Sequence, residues 1–329
     1  MVTMNKKHSY GFSLVEVMVA MVVGLIILSG VFALHSATRK TQAKNEEQMD
    51  MVADSRFAIE MLTYDLRHTG MWGGTNKYEL IECKYNGPNC GTASVGGEQL
   101  PTLAAGDCAT GWYYDIEFPI VGISSASTAY TNCIKNRRVG TDMLAVRYAD
   151  PTPQVALVKG QAYVRSNALG GRIFIGDKAP FLDSNDGAAM TQNRELRASL
   201  YYIATYSDVV GDGIPSLRRA SLINGPDIED QLLIPGVHDF QVAYGEDTNK
   251  DTLIDRYIDA DKVTDWKRVY ALKIWFVMRT DKKQDTKITT TKTFNIDGVA
   301  TAYGAVGYRY FMVSTVVNLR NVRRIVDKK

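Results

Sequence analysis

The chain has 329 residues, of which 45% are hydrophobic and 22% are charged, and its formal net charge is +2. This composition is ordinary for a globular fold, and the near-neutral charge gives no general reason to expect nucleic acid or an acidic partner. The length exceeds what one helical anchor needs, so we expect one large domain or two smaller ones beyond any anchor.

The first element is a short basic leader joined to a long apolar segment. Lys6 and Lys7 precede residues 12–34, a run of 23 residues with one charged side chain, Glu16. As a helix this run is about 35 Å long, enough to cross a bilayer, with the lysines on the cytoplasmic side. A cleaved secretory signal, the alternative, has a shorter apolar core with small residues at its cleavage site. We therefore predict a retained anchor.

The single carboxylate in the apolar run needs a partner, because a charge in hydrocarbon costs roughly 2–4 kcal/mol. A free amino group would form close to Glu16 if the chain were cut between Gly11 and Phe12. We predict that these three residues act together.

The helix is expected to continue beyond the membrane and to end at Gly70. Apolar residues recur at near-helical spacing; they are Met49, Val52, Phe57, Ile59, Met61, Leu62 and Leu66. The alternative is a separate amphipathic helix, with a bend near residues 33–38.

The rest of the chain is expected to be rich in β-strands. Residues 71–136 are rich in Gly, Ser, Thr and Asn and indicate loops with a few short strands. Later β-branched and aromatic runs indicate strands; they are residues 142–148, 154–158, 172–175, 199–206, 217–223, 237–244, 268–280 and 308–322. We predict an α+β fold, with a mainly antiparallel sheet packed on the exposed half of the helix.

The four cysteines all follow the anchor, at Cys83, Cys90, Cys108 and Cys133. An even set in an exported head favours two disulfides. Three pairings are open, and Cys83–Cys90 with Cys108–Cys133 closes the shortest loops. Zinc is disfavoured because no CxxC pair occurs.

An acidic segment resembles a calcium-binding loop. Asp247, Asn249 and Asp251 stand at alternate positions, followed by the Leu253 carbonyl and Asp255. Thr252 replaces the glycine of such loops, and Ile258 stands where a bidentate carboxylate is usual. A hairpin rich in Asx turns is the alternative.

Catalytic motifs such as HExxH, GxxxxGK and GxSxG are absent from the sequence, so we expect no enzyme and no obligatory cofactor. A basic cluster near the end of the chain is suited to DNA phosphate or to a solvated strand end; it comprises Arg320, Arg323, Arg324, Lys328 and Lys329.

The leader and the residues Phe-Ser-Leu-Val-Glu at 12–16 resemble type IV prepilins and the related type II secretion pseudopilins. Residues 55–62, 65–70, 237–244 and 315–321, with Trp266 and Val269, are similar to PilW-type minor pilins. The resemblance implies four segments: a leader (1–11), a membrane and assembly helix (12–35), a periplasmic amphipathic half (36–69) and a disulfide-bonded head (70–329).

The resemblance also implies a role. Prepilin peptidase would cut after Gly11 and methylate Phe12, and Glu16 would set the register against a neighbouring subunit. The chain would reside in the bacterial inner membrane with a periplasmic head, then join minor and major pilins at the cell surface. Glu16 disfavours the terminal tip position. The expected function is to prime a pilus used for twitching, adhesion or DNA uptake. The alternatives are a type II secretion pseudopilin and a pilus-borne adhesin for DNA or a host receptor.

Overall fold

A computed structural model of the chain describes residues 11–82, 112–127, 130, 134–182, 190–281, 283 and 291–322. The chain divides into two compact units, Met1–Val52 and Ala53–Lys329. The described part of the first unit is helical from Leu14 onward; the second unit contains the end of that helix and all the described strands.

One helix, α1, runs from Leu14 to His68 as a single element, so the alternative of two separate helices is wrong. It begins after Ser13, whose carbonyl accepts the first helical hydrogen bond from Val17 N–H at 3.2 Å. It ends as predicted, because Gly70 has a φ of +80°, a left-handed conformation that glycine adopts without strain and that commonly terminates helices.

The packed stripe of the helix is less apolar than its sequence indicates. Ser55, Ala58, Leu62 and Leu66 are buried, whereas Phe57 is 56% exposed. The prediction that Phe57 lies on the packed face is therefore wrong. Serine and alanine are small, and a larger side chain at these buried positions would have to displace its neighbours.

Fourteen strands follow within the described residues. They are β1 (Ile81–Glu82), β2 (Ile120–Ile123), β3 (Met143–Pro153), β4 (Ala162–Ser166), β5 (Gly171–Ile175), β6 (Gln192–Ala204), β7 (Ser216–Ile223), β8 (Asp227–Pro235), β9 (Val237–Glu246), β10 (Arg256–Ile258), β11 (Val269–Arg279), β12 (Lys292–Ile296), β13 (Val299–Tyr303) and β14 (Tyr310–Asn318).

The strands form one large sheet and two smaller ones. The first has the order β1-β5-β4-β6-β3-β2, with β7 beside β6 and β8 beside β7; the second has the order β10-β9-β11-β14; β12 and β13 form a hairpin. Every pair is antiparallel except the short pair of β1 with β5. The chain is thus α+β with a mainly antiparallel head, as predicted.

Several individual strands differ from prediction. Residues 154–158 form no strand, because β3 ends at Pro153 and the next apolar residue, Val155, is 98% exposed. Strand β8 and the β12–β13 hairpin were not predicted. Strand β8 begins with acidic residues, and both hairpin strands bury little, so their composition carries a weak strand signal.

Candidate functional site

The predicted processing site lies at the start of α1. Phe12 is 86% exposed, and a Cβ added at Gly11 would meet no atom within 4 Å. The fold of the chain therefore places no demand on glycine at residue 11. If glycine is required there, the requirement comes from a partner.

Glu16 lies in the first turn of α1 and points back toward its start. Its carboxylate Oε2 accepts a hydrogen bond from Ser13 N–H at 3.0 Å. Ser13 and Glu16 have the spacing of a capping box, a signal that our reading of the sequence missed. The carboxylate is thus held at the amino end of its own helix, against Ser13, the residue that follows Phe12.

The apolar part of α1 has the length and composition of a membrane span, and it is the one described helix that does. Its apolar side chains are exposed, as lipid-facing residues are in an isolated subunit. Gly24 and Gly30 have open space around them, which leaves room for close contact with another helix.

The end of the helix is fixed to the head by a buried carboxylate. Asp65 is 4% exposed; its Oδ1 accepts from the Tyr148 hydroxyl at 2.8 Å, and its Oδ2 accepts from the Tyr201 hydroxyl. Burial, followed by the charge of Asp65, raises the pKa of both phenols. Both tyrosines therefore stay protonated and donate to the carboxylate.

A second contact joins the C-terminal end of α1 to the residues that follow the last strand. Asn321 Nδ2 donates to the Arg67 carbonyl at 2.9 Å, and Val322 lies against Gly70. The last carbonyls of a helix lack helical partners, and Asn321 supplies one.

The acidic loop is arranged around its own backbone. Asp247 accepts from Lys250 N–H at 2.6 Å and from Thr252 N–H at 2.8 Å. Asp255 accepts from the Thr248 amide and hydroxyl at 2.7 Å, and these bonds lower its pKa. Thr252 takes the left-handed conformation, with a φ of +71°, so the turn forms without glycine.

No group of three His, Cys, Asp or Glu residues in the described chain has the arrangement of a metal site. The three carboxylates of the loop instead accept hydrogen bonds from N–H groups within the loop. Asp247 accepts from the Lys250 amide, Asp251 from the Leu253 amide, and Asp255 from the Asn249 side chain. Calcium binding stays a prediction.

If the loop binds calcium, calcium should raise the melting temperature of the full-length protein by several degrees relative to EDTA. A ligand that binds only the folded state at about 100 times its Kd adds about 2.7 kcal/mol to the free energy of unfolding. Asp251→Asn should reduce the shift, and magnesium serves as the ionic control. Equal melting in calcium and in EDTA would reject the calcium site.

Two titratable side chains in the head have pKa values displaced by burial. Asp142 is 8% exposed, and burial raises its pKa from 3.8 to about 6 despite bonds from Ser125 and Val242 N–H. Burial, then the positive charges of Arg138 and Arg279, lower the pKa of His238 from 6.5 to about 3. The folded state therefore favours the neutral form of both groups.

These two groups should give opposite pH dependences. The pKa of Asp142 is higher in the folded state than in the unfolded state, so Asp142 lowers the free energy of unfolding increasingly as pH rises from about 4 to 6. The pKa of His238 is lower in the folded state, so His238 lowers the free energy of unfolding increasingly as pH falls below about 6.5. We compare the free energy of unfolding of each variant with that of the parent chain. For Asp142→Asn this difference should be about 1–2 kcal/mol more favourable at pH 7 than at pH 5, and for His238→Gln about 2 kcal/mol more favourable at pH 5 than at pH 7. Urea unfolding at both pH values measures this, and differences of equal sign would refute it.

Two groups of predicted residues lie outside the described chain. All four cysteines, Cys83, Cys90, Cys108 and Cys133, are among them, as are Arg323, Arg324, Lys328 and Lys329 of the basic cluster. Their pairing and roles stay predictions.

Two protein families match the chain. The family described as Type IV Pilus-assembly protein W matches residues 200–321, which contain β7–β14 and Asn321. The family described as the Prokaryotic N-terminal methylation motif matches residues 6–32, which contain Gly11, Phe12 and Glu16. Neither a curated protein nor a solved structure matches the chain significantly.

The two matches fall on the two parts of the chain that a pilin needs. The motif implies interaction with the prepilin peptidase and with pilus components, and with the apolar helix it fits a membrane-anchored pilin. Membership of pilus-assembly families indicates a structural role. Together the two family matches support a PilW-like type IV pilin.

Proposed function

We propose that this chain is a minor pilin that helps to prime assembly of a type IV pilus and has no catalytic activity of its own. The observation that carries the proposal is the pairing of a head of the PilW family with an intact prepilin motif that includes Glu16. A chain with both parts can enter a filament through its helix while presenting a specialised head.

Assembly begins with removal of residues 1–11, which creates an amino group on Phe12 that the peptidase methylates. Glu16 then pairs with the amino group of an adjacent subunit. The structure supports this role because the carboxylate is turned toward the amino end of α1, beside Ser13 N–H. The pair replaces two unpaired charges in a medium of low dielectric constant, although desolvation consumes much of the Coulomb attraction.

The partners follow from this route. The chain starts as a single-pass protein of the inner membrane with its head in the periplasm, then joins other minor pilins and the major pilin. Because it carries Glu16, it accepts a subunit above it and does not occupy the terminal tip.

Glu16→Ala should leave cleavage intact and lower the number of surface pili. Glu16→Gln is the matched control: its carbonyl oxygen still accepts from Ser13 N–H, but its charge is gone. If charge pairing sets the register, glutamine should fail as alanine does; normal piliation with glutamine would assign Glu16 to capping instead. Electron-microscopic counts of pili, with immunoblots of the mature chain, measure the result.

Deletion of the whole chain tests the function. We expect few or no surface pili, and normal secretion of exported enzymes. Normal pili with abolished secretion would identify a type II secretion pseudopilin. Normal pili with lost DNA uptake or adhesion would identify a surface binding module. Re-expression of the full chain must restore pili.

A further inference from the structure

Open sheet edges are hazardous to a soluble head, because their unpaired backbone groups attract other strands. Most edges of this head are short: β1, β2 and β10 have two, four and three residues. Strand β8 is a longer edge, with nine residues, but it carries Asp227, Glu229 and Asp230 and ends at Pro235. Charge and proline are the usual protection of an edge.

Strand β14 is a long edge without that protection. Its nine residues, Tyr310–Asn318, include no charged residue and no proline. In the second sheet it pairs with β11 alone. The register of β11 with β14 is continuous over nine pairs, with no bulge to twist the edge away. Of the edges that the structure describes, β14 alone combines length with a strand sequence free of charge and proline and a register free of bulges.

The ladder shows which backbone groups face outward. Thr280 N–H donates to the Arg309 carbonyl, and Leu319 N–H donates to the Tyr270 carbonyl. In an antiparallel pair the bonded residues alternate, so the odd-numbered residues of β14 face β11. The N–H and C=O groups of Met312, Ser314 and Val316 therefore point away from the sheet.

The side chains of Ser314 and Val316 stand on one face of the sheet and are accessible there. Val316 is 56% exposed, and Ser314 is exposed as well. Among the described residues, the one side chain that bonds the outer edge of β14 is Lys292, which donates to the Tyr310 carbonyl at 3.1 Å. By contrast, the outer edge of β9 is bonded by Asp142, which accepts from Val242 N–H and donates its own N–H to the Phe240 carbonyl.

We propose that the β14 edge accepts an extended, uncharged strand from the head of a different pilin subunit during assembly. An alternating row of N–H and C=O groups is complementary to another extended backbone, and strand addition to an open edge is an established mode of recognition. The lack of charge on β14 selects a neutral strand, because a charged one would leave its charges unpaired at the contact.

This inference rests on the proposed function, which brings several heads together. A second copy of the chain fits less well as the occupant. Two copies of β14 paired antiparallel would use the same edge twice and close the contact into a dimer. A subunit that continues a filament needs a contact between unlike surfaces, and a different subunit supplies one.

The test uses the full chain in cells that make pili. Ser314 is replaced by the photoreactive residue p-benzoylphenylalanine, and crosslinked peptides are identified by mass spectrometry. We expect a crosslink to a strand in the head of another prepilin. Crosslinking no stronger than from the same probe at Val155, which is 98% exposed in a loop, overturns the proposal. Crosslinking to a second copy of this chain also overturns it.

A charge on the edge supplies the second arm. Val316→Lys in the Ser314 probe chain should lower the crosslink yield by about tenfold, which corresponds to about 1.4 kcal/mol. Val316→Thr, which adds no charge, and Val155→Lys, a matched change at another exposed valine, should leave the yield unchanged. Undiminished crosslinking with Val316→Lys overturns the proposal.

Two further measurements keep the result interpretable. Immunoblots establish whether each variant accumulates equally. If Val316→Lys does not accumulate, Val316→Pro replaces it as the test. Proline removes the outward N–H of residue 316 but no hydrogen bond to β11, so Val316→Pro must also lower the crosslink yield. Deletion of the chain separates the two proposals. If deletion leaves pili normal, the proposed function fails; if deletion abolishes pili but the crosslink is absent, only the strand addition fails.

Discussion

A Gly11→Val chain should remain uncut and should accumulate in the membrane as a precursor that is eleven residues longer than the mature chain. The fold does not require glycine at this position, because a Cβ there would meet no atom within 4 Å and the backbone needs no left-handed conformation. A failure of cleavage would therefore reflect what the peptidase requires at the bond between residues 11 and 12, and not a misfolded chain.

Gly24→Val is the matched control for this prediction. It makes the same change at a glycine inside α1 that also has open space around it, and it should be processed normally. Electrophoresis and mass spectrometry of the amino terminus measure the outcome. A Gly11→Val chain that starts at a methylated Phe12 would contradict the predicted requirement for glycine before the cleaved bond, because cleavage would then have occurred without it.

The sequence predicts the helix well because its signals are local. The apolar run, the polar turns after it and the terminating glycine all act within a few residues, and α1 ends where Gly70 indicates. Buried central strands are also readable. Strands β9 and β11 lie within two residues of the predicted runs 237–244 and 268–280, because both contain several of the β-branched and aromatic residues that favour strands.

Long-range partners are what the sequence hides. Strand β8 reads as an acidic loop until β7 is placed beside it. The C-terminal run was predicted as residues 308–322, but β14 covers Tyr310–Asn318, because the segment after Asn318 leaves the sheet and reaches α1 through Asn321. Likewise no residue near Asp65 in the sequence marks it as buried, since its two partners lie 83 and 136 residues away.

That buried carboxylate gives the largest stability effect we expect in the head. Asp65→Ala should lower the free energy of unfolding by about 2–6 kcal/mol, because the Tyr148 and Tyr201 hydroxyls would each lose a buried acceptor at about 1–3 kcal/mol. For a domain of this size the melting temperature should fall by roughly 5–20 °C. Glu60→Ala, an exposed carboxylate one turn earlier on the same helix, should change little.

A double-mutant cycle tests the cause. Suppose that the loss of stability comes from tyrosine hydroxyls that are left without an acceptor. In that case Tyr148→Phe should lower the free energy of unfolding much less in the Asp65→Ala chain than in the parent chain, because the hydroxyl it removes no longer has a partner. Asp65→Asn keeps one acceptor oxygen for two donors and should fall between the parent and alanine. Thermal unfolding of the full-length protein in detergent measures the parent chain, the two single variants of the cycle, the double variant and Asp65→Asn. Additive losses would show that Asp65 does not act through Tyr148, and other contacts, such as that of Asn321 with the Arg67 carbonyl, would then hold the end of α1.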